Sequence, residues 1–143
     1  MRTIAFVLLA IIAFTIAGPA PFKLCPGDVP PSFQVKTIDV TPSGEIQPGT
    51  SVTATIDGIS GSEVSSGKLV STISLEGIDI LENEYDLCQI ASGGCPIKAG
   101  PASLKVVLDV PGIAGPGQYN TKHVVTGDSK QIACALLNFT VAG

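Results

Sequence analysis

The sequence predicts an all-β domain, an immunoglobulin-like sandwich of about seven strands, on three observations. Apolar and polar residues alternate with a period of two over residues 33–40, 50–57, 68–76, 78–87, 102–110, 118–126 and 131–141. Clusters of Gly, Pro, Ser and Asp separate these runs. No stretch beyond residue 17 carries the apolar spacing of an amphipathic helix. One core of this kind fits a chain of 143 residues, and neither an internal repeat nor a second domain is visible.

The first 17 residues stand apart from that pattern. Met1-Arg2 gives a positive start, the run from Ile4 to Ile16 is almost wholly apolar, and the small residues Ala17-Gly18 follow. This is the layout of a secretory signal peptide cleaved after Ala17, leaving residues 18–143 as the mature domain. The apolar run falls short of the ~20 residues that a spanning helix needs.

Residues 25–31 are proline-rich and read as an extended lead-in. Along 33–40 the apolar phase slips between Val35 and Ile38, the mark of a β-bulge. Thr41-Pro-Ser-Gly44 and Gln47-Pro-Gly49 make turns. Val52, Ala54 and Ile56 then alternate with threonines, as in a half-buried strand. A Ser/Gly-rich connection leads to Leu69, Ile73 and Leu75 on one face of the next run. In the run after Gly77, Leu81, Tyr85 and Leu87 oppose Glu82, Glu84 and Asp86. Such acids read as the solvated face of a one-sided sheet and not as a calcium site. Cys88 and Cys95 flank a Ser92-Gly93-Gly94 tip, predicting a disulfide-closed hairpin loop between two strands. Leu104, Val106, Leu108 and Val110 alternate beyond it, and two further runs close the chain after turns at 111–117 and 127–129.

Composition excludes several classes of function. The net charge is −4, Arg2 is the single arginine and the lysines are scattered, so no basic stripe is available for nucleic acid. Four cysteines in a chain bound for an oxidising compartment imply two disulfides. The short turn favours Cys88–Cys95, which leaves Cys25–Cys134. With no Cys-x-x-Cys spacing and one histidine, zinc is not expected, and no cofactor is implied.

Fragments that look catalytic fail on inspection. Between Gly61 and Lys68 the spacing departs from a phosphate-binding loop, and Leu69 stands where Ser or Thr would hold magnesium. Ser65-Ser-Gly-Lys68 lacks the partner motifs of Ser-x-x-Lys enzymes. Gly127-Asp-Ser-Lys130 lacks the glycines of a hydrolase nucleophile loop. His123 lies mid-strand, where exposure or a neighbouring hydroxyl accounts for it better than a role as general base. The reading is therefore not an enzyme. Asn138-Phe-Thr140 has the form of a glycosylation sequon inside the last predicted strand.

Beyond residue 17 the chain has five aromatics and no tryptophan. Sheets faced with Val, Ile, Leu, Ala, Ser and Thr either close on one another or leave an apolar cavity, and composition alone favours a filled core.

Four motifs in order then bear on the choice: Tyr85-Asp-Leu-Cys88; Cys95-Pro-Ile-Lys-Ala-Gly100; Val110-Pro-Gly with Gly115-Pro-Gly-Gln-Tyr119; and Asp128-Ser-Lys-Gln-Ile-Ala-Cys134. This succession resembles the ML (lipid-recognition) domain family, above all its secreted phosphatidylglycerol/phosphatidylinositol transfer proteins and more distantly its sterol carriers. The resemblance implies an immunoglobulin-like sandwich with an apolar cavity between its sheets, opening near the disulfide loop, and the same disulfide pairing. It places Val52, Ala54, Ile56, Leu69, Ile73, Leu75, Leu104, Val106, Leu108, Tyr119 and Val125 on the cavity wall. Ile97, Pro101 and Ile113 would rim the opening, with Lys98 pairing with a lipid phosphate. Sterol carriers have aromatics shortly after the Cys-Pro element and a tryptophan after the last cysteine, where this chain has Pro101-Ala102-Ser103 and Ala135. That departure favours a phospholipid or fatty acid over a sterol. The implied function is non-enzymatic lipid binding and intermembrane transfer by a secreted or lumenal monomer that touches membranes transiently. The alternative is an extracellular recognition module that carries no lipid.

Overall fold

The computed structural model describes residues 18–27 and 31–143, and the expected signal peptide lies outside them. Seven long strands form, as the alternation predicts: β3 (Phe33–Thr41), β4 (Ser51–Ser60), β5 (Gly67–Leu75), β6 (Ile78–Asp86), β7 (Gly100–Asp109), β8 (Gly117–Gly127) and β9 (Lys130–Val141). Two short ones precede them, β1 (Gly18–Pro19) and β2 (Phe22–Leu24). A single helical turn, α1 (Leu87–Ile90), lies between β6 and β7. The strands make two antiparallel sheets, of order β1-β3-β4-β7 and β2-β9-β8-β5-β6.

The slip within 33–40 is a register shift between Val35 and Thr37 in the β3–β4 ladder. Gly58 lies opposite Val35 there, and a Cβ on it would fall 2.3 Å from the Gln34 carbonyl oxygen. The bulge brings one backbone against the other, so a side chain has no room.

The expected hairpin at Cys88–Cys95 is instead a crossover. β6 pairs with β5 in one sheet, whereas β7 pairs with β4 in the other. The chain changes sheet through α1, whose start Asp86 caps by accepting a bond from the Cys88 amide at 2.8 Å. Leu87, fully buried, anchors the turn in the core. Turn residues between two runs of alternation look alike whether the runs pair with each other or face each other across a core.

Both disulfides form as predicted, Cys25–Cys134 and Cys88–Cys95. The first reinforces an N-terminal segment that belongs to both sheets. Gly18 and Pro19 pair with Val40 and Asp39 of β3, and Phe22 to Leu24 then pair with Leu137 to Ala135 of β9. The segment thus closes one flank of the sandwich. On the other flank, β6 and β7 edge their respective sheets, and the Tyr85 hydroxyl on β6 donates to the Val107 carbonyl on β7 at 3.2 Å.

The interior is unevenly filled. Phe33, Ile56, Leu69, Leu87, Ile97, Leu104, Val125 and Ile132 pack together in the half nearest the Cys88–Cys95 loop. In the other half, small clusters around Ile46, Val52 and Val110, and around Ile73, Tyr119 and Val141, seal the end. Space remains between them.

Cys25–Cys134 spans 109 residues and Cys88–Cys95 spans 7. Loop-closure entropy therefore predicts that replacing the first pair with alanines lowers the unfolding free energy by roughly 4–5 kcal/mol and the second by roughly 2–3. Urea titration of the two double variants measures both; equal losses would mean that strain or contacts, and not chain entropy, set the contribution.

Candidate functional site

The space between the packed regions is a pocket of about 410 Å³. Inward residues of both sheets line it: Val40 from β3, Val52 and Ala54 from β4, Val106 and Leu108 from β7, and Ser71, Ile73, Tyr85, Thr121, His123, Leu137 and Phe139 from the facing sheet. Its existence follows from side-chain size along each strand. On β4 the inward series runs Ile56, Ala54, Val52, and on β5 it runs Leu69, Ser71, Ile73, so the smallest members stand opposite one another mid-sandwich. Exposed Gly44, Glu45 and Asn138 also line the pocket, which places its mouth on the β3–β9 flank. Two stitches bound that flank. The N-terminal segment crosses between the sheets at Ala20, and the Ile46 amide donates to the Thr140 carbonyl at 2.8 Å.

A second, smaller pocket of about 290 Å³ lies toward the β7–β8 loop. Ile73, Leu108, Tyr119 and Phe139 form its inner wall, and Ile80, Leu81 and Ile113 its outer one. Ile73, Leu108 and Phe139 line both spaces. The Tyr119 and Phe139 rings stack with centroids 5.2 Å apart, and the Tyr119 hydroxyl donates to the Gly115 carbonyl at 2.8 Å.

The residues expected to form the cavity divide three ways. Val52, Ala54, Ile73, Val106 and Leu108 line the larger pocket, while Ile113 and Tyr119 line the smaller. Ile56, Leu69, Leu104 and Val125 lie deeper along the same faces, inside the filled core. Leu75 packs beside Ile73, Tyr119 and Val141 at the closed end. The supposed rim does not come together: Ile97 is buried and bridges to Val64, Pro101 is exposed at the start of β7, and Ile113 follows the far end of β7. Lys98 is exposed beside Ile97, at the disulfide end and away from the mouth on the β3–β9 flank. Leucine-sized residues near the crossover fill that end, so both pockets lie toward the other.

The wall has a polar seam. Ser71 Oγ lies 2.7 Å from His123 Nδ1, His123 Nε2 lies 2.9 Å from Thr121 Oγ1, and Thr121 Oγ1 donates to the Leu137 carbonyl at 3.2 Å. A carbonyl only accepts, so Thr121 has spent its proton and must accept from Nε2–H. Nδ1 is then bare and accepts from the Ser71 hydroxyl. The imidazole is neutral and fully bonded, as expected of a histidine satisfied by neighbouring hydroxyls. Burial pushes its pKa down to about 4. Burial, followed by the charge of Asp109, also raises the Tyr85 phenol above its ordinary value. Among the lining residues the other ionisable side chain is Glu45, at the mouth, and no lysine lines the pocket. Tyr119 and Val125, expected on the wall, mark this face by their i, i+2 spacing, and Thr121 and His123 between them share it.

No group of three or more His, Cys, Asp or Glu side chains among the described residues is placed to hold a metal. No helix among them is long and apolar enough to cross a membrane. Sheets, disulfides and pocket together define a two-sheet immunoglobulin-like sandwich with an apolar hollow. The chain belongs to the ML domain family, whose profile matches residues 19–141. It is 27% identical over 126 residues to a phosphatidylglycerol/phosphatidylinositol transfer protein of Aspergillus fumigatus, covering 85% of this chain and 71% of that one. It is 25% identical over 139 residues to a putative phosphatidylglycerol/phosphatidylinositol transfer protein 2 of Dictyostelium discoideum, covering 94% of each. Its fold matches a Niemann-Pick type C2 protein from the Japanese carpenter ant, with a TM-score of 0.66, 13% identity and coverage of 85% of this chain and 99% of that one.

Because His123 protonates more readily unfolded than folded, the unfolded chain takes up its proton first as pH falls. The stability that the neutral ring preserves is therefore lost between about pH 6.5 and pH 4 and does not change above that window. Urea unfolding should show wild type losing about 3 kcal/mol more than His123→Gln between pH 7 and 4. Parallel pH profiles would mean the ring is solvated in the folded state.

Proposed function

We propose that this protein binds a lipid in the 410 Å³ pocket and carries it between membranes, making and breaking no bond. The observation that carries the reading is an apolar hollow with an opening on the flank, in a member of the ML domain family whose relatives are named as lipid transfer proteins. At roughly 30 Å³ for each group of water's size, that volume takes on the order of a dozen methylenes, which is one acyl chain and not two. At about 0.8 kcal/mol per buried methylene, the gross driving force is about 10 kcal/mol, from which the costs of association are subtracted. The second chain of a two-chain lipid would remain outside or reach the smaller pocket.

Phospholipid of the class in the relatives' names is the first candidate, with fatty acid and sterol after it. Lys98 stands at the opposite end from the mouth, so a headgroup there would sit beside Glu45 and Asn138 instead. The protein acts after export, as a monomer in a secreted or lumenal setting that keeps both disulfides oxidised, and it touches membranes only to exchange its cargo. A closed sandwich acting as a recognition surface would need no such hollow.

Native mass spectrometry of the disulfide-intact protein tests the proposal. A lipid bound at near one-to-one, or taken up from phospholipid vesicles, is the expected result. An apo mass that persists after incubation with vesicles overturns it. Ala54→Phe projects a ring into the hollow and should reduce lipid uptake at least about tenfold while leaving the melting temperature equal or higher.

A further inference from the structure

The larger and smaller pockets are neighbours across a thin wall. Ile73, Leu108 and Phe139 belong to both linings, so their side chains form the partition between about 410 Å³ on one side and about 290 Å³ on the other. All three are apolar, and a hydrocarbon that passes between them strips water from no polar group. Beyond the partition the Tyr119 hydroxyl is spent on the Gly115 carbonyl, and exposed Asp109 accepts from the Ser51 hydroxyl. The rest of the smaller pocket is largely apolar, with Ile80, Leu81 and Ile113 as its outer wall.

The three members of the partition are not held equally. Ile73 lies on β5, laddered on both sides by β6 and β8, and its branched side chain has few rotamers. Phe139 is in register with Tyr119 and stacks on it. Leu108 lies on β7, an edge strand that pairs with β4 alone, and its side chain is half-buried and unbranched at Cβ. Leu108 is therefore the member that swings aside without breaking a ladder or a ring stack.

Chain length supplies the reason to cross. At roughly 30 Å³ per group the larger pocket is full at about a dozen methylenes, whereas the acyl chains that fill half of a bilayer core about 30 Å thick commonly have about 16–18 carbons. Confined to the larger pocket, such a chain would leave its last four to six groups or so in water, each weakening binding about fourfold relative to the bilayer it left. The smaller pocket has room for about nine more.

We propose that one long acyl chain threads both pockets past Leu108, so that the partition sets the chain length the protein accepts. The inference rests on the lipid-carrier reading and deepens it: the cargo is a lipid with one buried chain of up to about 20 carbons, and any second chain stays outside. Leu108 is thereby a specificity-determining residue.

Uptake from vesicles provides the test, because a methylene that finds room in the protein leaves the bilayer at little cost, whereas one that finds none is left in water. The full disulfide-intact protein is equilibrated with dioleoyl phosphatidylcholine vesicles containing equal amounts of 1-acyl lysophosphatidylglycerols of about 10 to 24 carbons. It is then re-isolated, and mass spectrometry compares its bound lipid with that left in the vesicles. The bound-to-vesicle ratio should stay level to about 20 carbons and then fall about fourfold with each methylene. Leu108→Trp closes the partition and should move the fall to about 12–14 carbons, whereas Leu108→Ala, which merges the two spaces, should not. Melting temperatures identify a variant that has not folded, and the wild-type profile then decides alone. A fall beginning at about 12–14 carbons in the wild type, or a folded Leu108→Trp protein with the wild-type profile, overturns the inference and leaves the carrier reading intact. If no chain of any length is taken up, the carrier reading falls and this one with it.

Discussion

The hollow depends on the half of the sandwich that is solid. Phe33, Leu69, Leu87 and Leu104 are essentially inaccessible to solvent, and they set the spacing of the sheets at the disulfide end. Further along the sandwich, Ser71, two residues after Leu69 on β5, and Ala54, two residues before the core residue Ile56 on β4, occupy the inward positions. The backbones cannot collapse onto these smaller side chains while leucines hold them apart on one side and Tyr119, Phe139 and Ile46 plug the other. Interiors normally fill at crystal-like density, so an unfilled one requires such props at both ends. Composition alone favours a filled core because it averages over a gradient that runs along each strand.

The flanks are the second requirement, since sheets not hydrogen-bonded to each other would shear open at their edges. On one flank the α1 crossover joins β6 to β7, and farther along a phenol–carbonyl bond from Tyr85 to Val107 ties them again. On the other, the N-terminal segment pairs with both sheets in succession, and its attachment to β9 is made covalent by Cys25–Cys134. The mouth lies between that crossing and the Ile46 stitch to Thr140. Opening it further requires only local changes in the loop between β3 and β4, while the ladders between long strands stay intact. Exchange of a ligand thus need not cost global stability.

Most of the fold was legible in the alternation, because period two reports which side of a strand is buried whatever that strand pairs with. Cys88–Cys95 and the bulge at Val35–Thr37 were legible for local reasons, a short turn and a phase slip, and Cys25–Cys134 was what the first pairing left. The crossover after β6 was not, since pairing partners are set by the whole sheet and Cys88 to Cys95 spans a turn equally well within one sheet or between two. The wall residues were legible by face but not by depth. Ile56 and Ala54 share a face, yet one is core and the other lines the pocket. Ile97 was placed on the rim by the family resemblance, but it is buried in the core and bridges to Val64.

The seam shows why polar residues on an inward face were the hardest part to read. Serine, threonine, histidine and asparagine in a strand ordinarily face solvent, and Asn83 lies between Glu82 and Glu84, in a run whose other polar members do. Register places it beside Ser71 and turns four unremarkable side chains into one line across three strands. Three of the four satisfy one another in sequence, each spending its proton on the next, so that the line ends with acceptor capacity at Ser71 and a free donor at Asn83. An entirely apolar wall would hold any chain by burial and tell lipids apart only by length and shape. A wall whose hydroxyls and imidazole bond to one another keeps these polar groups satisfied, so an apolar chain laid against it leaves none of the three desolvated and unpaired.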